Sequence, residues 1–107
     1  MSGVQVVTDQ DFASEVLAAK GTVLVKFTAD WCPPCRQLAP VLAEVAEEQA
    51  DKLKIVQLDV DRNPETQAAY GVLSMPTLMV FRGGEPIRSL VGARAKARLL
   101  RELDDLL

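Results

Sequence analysis

The apolar positions of this chain switch repeatedly between a period of two and a period near 3.6. Val4-Gln5-Val6-Val7 predicts a short strand. Residues 22–27 (Thr-Val-Leu-Val-Lys-Phe) predict a second one, apolar on both faces as in the middle of a sheet, with Lys26 its one discordant residue. Between them, Thr8 and Asp11 resemble a capping pair ahead of Phe12, Val16 and Leu17 at helical spacing, and Gly21 ends that helix. Leu38, Val41, Leu42 and Val45 line one face of a helix from Cys32 to about Gln49, with a kink predicted at Pro40, which lacks a backbone donor. Residues 53–60 predict the next strand, joined by a right-handed parallel crossover. Asn63 as cap, Pro64 at the first helical position and Gly71 as the stop predict a short helix. Residues 77–82 and 87–91 flank Gly83-Gly84, a hairpin signal. Leu99, Leu100, Leu103, Leu106 and Leu107 give an amphipathic closing helix. The order predicts an α/β fold, a mixed sheet with helices on both faces, in one domain over residues 1–107.

Composition narrows the function classes. At 107 residues with 49% hydrophobic positions, the chain can bury a core without disulfide staples, so its two cysteines are free for chemistry. The net charge is −3. Its densest basic stretch, from Arg94 to Arg101, is interleaved with leucines and followed by Glu102, Asp104 and Asp105. That is the solvated face of a terminal helix, and no nucleic-acid partner is expected. No apolar run is long enough to span a membrane, and Met1-Ser2-Gly3-Val4-Gln5 lacks the basic start and apolar stretch of a leader. A cytoplasmic protein, monomeric and off the membrane, is expected. There is no histidine, hence no Cys–His or Ser–His pair, and two cysteines alone cannot complete a tetrahedral zinc site. No phosphate loop or dinucleotide fingerprint appears.

The chemistry concentrates in Trp31-Cys32-Pro33-Pro34-Cys35. Two cysteines at this spacing, between a strand and a helix, can close a small disulfide ring and reopen it. At a helix start, unpaired N–H groups and the helix dipole favour a Cys32 thiolate, while Cys35, one turn on, is more enclosed. Activation alone gains little. Raising the thiolate fraction about 16-fold at neutral pH costs about 5-fold in nucleophilicity at a Brønsted slope of ~0.45. The larger advantage lies in Cys35, tethered within reach of a mixed disulfide on Cys32. A structural disulfide, a metal half-site shared between chains and two inert thiols are the alternative readings of the pair.

From end to end the chain resembles the thioredoxin family. The resemblance rests on Leu24-Val25-Lys26-Phe27-Thr28-Ala29-Asp30-Trp31-Cys32, Cys35-Arg36, Ala39-Pro40, Asp61-Arg62-Asn63-Pro64, Tyr70-Gly71-Val72, Met75-Pro76-Thr77-Leu78, Phe81-Arg82-Gly83-Gly84 and Val91-Gly92-Ala93. It implies a five-stranded mixed sheet with four helices, and a protein-disulfide reductase with no cofactor of its own. NADPH and flavin would act through a partner, thioredoxin reductase. It also implies a cis bond before Pro76, for which sequence alone gives ~5% odds. The exposed Met75 backbone would then pair with an extended, disulfide-containing substrate. Trp31, Pro34, Val60, Met75, Pro76, Val91, Gly92 and Ala93 match the family's substrate surface around the reactive sulfur.

Three positions depart from the family pattern. Lys26 stands where a buried aspartate is usual, and Gln57 replaces that carboxylate's lysine partner. If Lys26 points inward, burial lowers its pKa, and the neutral amine can take the Cys35 proton. Still charged, it would stabilise a thiolate; the bland alternative is that its ammonium escapes to water. Pro33 replaces the usual glycine, so both N–H donors between the cysteines are missing and a shifted redox potential is expected. Thr28 replaces a second tryptophan. These departures leave two further readings open: a reductase or oxidant for a narrow set of partners, and a binding module indifferent to redox state.

Overall fold

The computed structural model describes residues 3–107; Met1 and Ser2, on which the leader reading partly rests, lie outside the described residues. Five strands form one mixed sheet among them: β1 (Val4–Val6), β2 (Thr22–Thr28), β3 (Leu53–Asp59), β4 (Thr77–Arg82) and β5 (Glu85–Val91). Their order is β1-β3-β2-β4-β5, with β3 parallel to both β1 and β2, and β4 antiparallel to both β2 and β5. Three α-helices, α1 (Pro33–Glu48), α2 (Pro64–Ala69) and α3 (Lys96–Leu103), are joined by a π-helical turn at Ala13–Leu17 and a 3₁₀ turn at Asp104–Leu106.

Strand β2 sits in the middle of the sheet, so both its faces must be covered, and its side chains alternate between two cores. Val23, Val25 and Phe27 join Phe12, Val16, Val56, Leu58 and Phe81 on one face. Leu24 joins Leu38, Leu42 and Val45 of α1 and Leu99 and Leu103 of α3 on the other. Lys26 has the parity of Leu24. It therefore faces the α1 side.

The first helix is shorter than its periodicity predicts. Thr8 N–H donates to Asp11 Oδ1 (2.6 Å) and Asp11 N–H to Thr8 Oγ1 (3.4 Å), a reciprocal cap. After this cap the chain makes one wide turn, with Ala18 N–H bonding Ala13 O across five residues (2.9 Å). A piece this short gets little from helix propagation and is held by Phe12 and Val16 in the core. Helix α1 runs on through Pro40, which lies on its exposed side, where a lost hydrogen bond meets water. Strand β5 begins two residues earlier than expected, because Pro86 is tolerated on an edge strand beside a register shift. Gly83 (φ 60°) and Gly84 (φ 79°) make the two-residue hairpin that leads into it, a turn that demands positive φ at both positions.

The cap of α2 comes from a distant residue. Asn63 makes no cap bond; its Oδ1 accepts from Asp9 N–H (2.8 Å) and its Nδ2 donates to Asp59 O (3.0 Å). Asp9 instead accepts from Glu65 N–H (3.2 Å), Thr66 N–H (2.9 Å) and Thr66 Oγ1 (2.6 Å). Although burial pushes its carboxyl up, these hydrogen bonds outweigh it and hold Asp9 below the usual carboxylate range. Stability from this contact is complete above the ordinary aspartate range and is lost as pH falls through the depressed folded value. Acid titrations of thermal stability on the wild type and Asp9→Asn are expected to show a shallower loss in the variant. Parallel curves would remove Asp9 from the acid limb.

Candidate active site

The cysteine pair lies where β2 ends and α1 begins. Leaving the sheet after Thr28, the chain turns through Ala29-Asp30-Trp31, and Arg36 Nη1 ties this turn down by donating to Asp30 O (2.7 Å). Cys32 is the N-cap of α1, with Pro33 and Pro34 in its first turn. Because those prolines carry no N–H, the first donor the helix offers is that of Cys35, and it points at Cys32 Sγ (3.2 Å). The sulfur thus takes the place of a cap oxygen. The two sulfurs are bonded, with their Cα atoms 5.3 Å apart, well within the usual disulfide span.

In this bonded state Cys32 is 2% exposed and Cys35 1%, so Cys32 is hardly the more open of the two. Around them the surface is uneven. Trp31 is 63% exposed and its indole Nε1 donates to Asp61 Oδ2 (2.8 Å). Pro33 and Pro34 are exposed, Met75 and Ala93 half-buried, and Val91 60% exposed. The Met75–Pro76 bond is cis, and Pro76 O accepts from Gly92 N–H (2.8 Å), which brings those two segments together. Pro76 is itself buried, so it shapes the backbone more than the surface. Val60 departs from the sequence expectation. At 2% exposure it is a core residue packed with the cysteines, and it contributes no rim.

Lys26 points inward. The residue is 3% exposed and its Nζ donates to the Cys35 carbonyl at 2.9 Å. Burial pushes its pKa below the ordinary lysine value. Gln57 is its register partner on β3, and with Thr28, Asp30, Cys35 and Arg36 these two residues line a cleft of about 220 Å³. The escape of the ammonium to water does not occur, because β2 is central and α1 lies over that face.

Sequence reasoning missed two residues of the neighbouring surface. Leu73, 90% exposed, borders with Tyr70, Ser89 and Val91 a cleft of about 240 Å³. Its signal was an isolated leucine after a helix-stopping glycine, which has no period to reveal it. Asp61 lay inside a stretch notable only for its resemblance, and nothing local tied it to an indole thirty residues back.

Among the described residues there is no group of three or more histidine, cysteine or acidic side chains that could hold a metal ion, and no helix long and apolar enough to cross a membrane. What the geometry does offer is one bond that can be made and broken between two sulfurs at the head of a helix, one of them its cap. A protein so equipped is a thiol–disulfide oxidoreductase, carrying an electron pair on its own cysteines. The family model described as Thioredoxin matches residues 3–105, and the chain belongs to that family. It is 52% identical over 100 residues to thioredoxin of Mycobacterium tuberculosis, covering 94% of this chain and 86% of that protein. It is 46% identical over 108 residues to thioredoxin of Mycolicibacterium smegmatis, covering 99% and 96%. It also matches 22% of a Mycobacterium leprae protein named bifunctional thioredoxin reductase/thioredoxin, at 49% identity over 100 residues. Its activity is that of a protein-disulfide reductase.

Proposed function

We propose that residues 1–107 form a single monomeric domain that reduces protein disulfides in the cytoplasm and is recharged by a flavin- and NADPH-dependent thioredoxin reductase. The observation that carries the reading is the Cys32 sulfur seated as the cap of α1, bonded to Cys35 and accepting its N–H. In the reduced protein, Cys32 thiolate attacks one sulfur of a substrate disulfide and expels the other as a thiolate. Cys35, as thiolate, then attacks Cys32, closes the 32–35 disulfide and releases the second substrate thiolate. Two electrons pass to the substrate, and its two sulfurs leave as thiols after protonation. Lys26 is the group assigned to take up the Cys35 proton, because burial favours its neutral amine. Trp31, Pro34, Met75, Pro76, Val91, Gly92 and Ala93 form the substrate surface in this reading. Support comes from the backbone of Met75, which has no hydrogen-bond partner among the described residues and is open to an added strand. Neither nucleic acid nor membrane enters the reading.

The recharging partner is supported by the Mycobacterium leprae relative, whose name joins a thioredoxin reductase to a thioredoxin. One assay tests the whole cycle: NADPH consumption with thioredoxin reductase and insulin, run with and without this protein. Insulin-dependent consumption is expected only when the protein is present; no acceleration refutes the reading. A second reading, a partner-specific reductase or oxidant with a shifted potential, is favoured by the inward Lys26 and by Pro33. Equilibration with glutathione separates the two through the midpoint potential.

A further inference from the structure

Arg94 follows directly on the Val91-Gly92-Ala93 segment, and its side chain is only 3% exposed. Its guanidinium Nη2 donates to Val91 O (2.6 Å), Nε to Gly92 O (3.3 Å) and Nη1 to Glu102 Oε1 of α3 (2.7 Å). On its other side, Gly92 N–H is bonded to Pro76 O (2.8 Å). Glu102 is itself held: Arg98 Nε lies 3.3 Å from Oε1, and its backbone carbonyl accepts from Arg88 Nη1 (2.7 Å), whose guanidinium grips Asp105 at 2.6 and 2.8 Å. A continuous chain of polar contacts therefore runs from the cis bond at Pro76 to the end of α3.

Burying an arginine is costly, and for stability alone an apolar residue of similar volume serves as well or better. What an apolar side chain cannot do is hold two successive carbonyls and a carboxylate at once, which the rigid guanidinium fork does. The segment needs such a hold. Gly92 has φ +98°, a conformation open mainly to glycine, and no side chain with which to anchor itself.

We propose that Arg94 is a positioning residue for substrate recognition: braced on Glu102, it fixes the carbonyls of Val91 and Gly92 so that this segment meets a disulfide-bearing polypeptide in one preset conformation. The proposal rests on the reading of segment 91–93 as substrate surface, and Val91→Asp tests that reading separately. Insulin reduction is measured at steady state for Arg94→Met, Arg94→Lys, Glu102→Gln and Val91→Asp, with midpoint potentials and hydrogen exchange of the Gly92 amide. Arg94→Met is expected to raise KM about tenfold with kcat changed less than twofold, an unshifted midpoint potential and faster Gly92 exchange. Arg94→Lys keeps the charge but not the fork, and Glu102→Gln weakens the brace, so both raise KM by about threefold or more. An unchanged KM in a folded Arg94→Met, with a raised KM in Val91→Asp, overturns the positioning role while leaving the surface reading intact. Unchanged KM in Val91→Asp overturns the surface reading and this inference with it. A fall in kcat with a shifted potential marks general damage to the site and also overturns it. If Arg94→Met does not fold, Arg94→Lys and Glu102→Gln decide by the same KM criterion.

Discussion

Cys32→Ser is expected to reduce insulin turnover to the uncatalysed background, while Cys35→Ser is expected to accumulate one equivalent of covalent complex with substrate. The asymmetry follows from position. Cys32 is the cap of α1, flanked by exposed Trp31, Pro33 and Pro34, and serine is too weak a nucleophile to replace its sulfur. Cys35 is held one turn away with its Cα 5.3 Å from that of Cys32, close enough to bond. A well-oriented intramolecular nucleophile reaches effective molarities on the order of 10⁵ M or more, so millimolar external thiol cannot stand in for it. Mass spectrometry of the Cys35→Ser reaction reads the trapped adduct, and a reducing agent should release it. Sustained multiple turnover by that variant without added thiol excludes Cys35 as the resolving group. The near-equal burial of the two cysteines sharpens this test, because exposure alone does not choose between them.

Lys26→Met is expected to raise stability at neutral pH by about 1–3 kcal/mol, the usual scale for relieving a buried polar group of its desolvation. The methionine keeps the length of the stem in the α1-facing core, and the bond lost, to the Cys35 carbonyl, costs less than holding an ionisable amine out of water does. The pH dependence has a definite sign. Burial depresses the folded lysine below its unfolded value, so between the two the unfolded chain carries one proton more. Wild-type stability therefore rises with pH across that window, reaching its full value as the unfolded lysine also loses its proton. The methionine variant lacks this rise, so its advantage shrinks toward alkaline pH. Denaturant midpoints across the neutral to alkaline range read the effect directly; parallel curves would show a hydrated amine. The same variant tests the chemistry. If Lys26 takes up the Cys35 proton, the pH–rate profile of disulfide reduction changes shape, and an unaltered profile assigns Lys26 to structure alone.

Much of the fold was legible because local signals and tertiary demands agree. Gly83-Gly84 required a two-residue hairpin and made one, and the apolar run of β2 required a strand covered on both faces. Where local signals misled, a distant residue had intervened. Asn63 has the chemistry of a cap, yet Asp9, far back in the chain, takes the helix donors and leaves Asn63 bridging Asp9 to the end of β3. Residues 12–17 have helical spacing, but the segment is too short to propagate a helix and settles for the turn that seats Phe12 and Val16. Val60 is expected on the rim because it matches the family's substrate surface, and packing draws it into the core instead.

By itself the sequence determined the reactive pair and its place at the head of a helix, because a two-residue spacing and strand–helix periodicity are local properties, while the family followed from matching stretches along the whole chain. Only the tertiary structure decided the direction of Lys26, since the central placement of β2 turns its stem under α1 and its Nζ to the Cys35 carbonyl. The tertiary structure also brought Arg94, Gly92 and Pro76 into one hydrogen-bonded chain. Contacts between segments distant in sequence leave no period to be read.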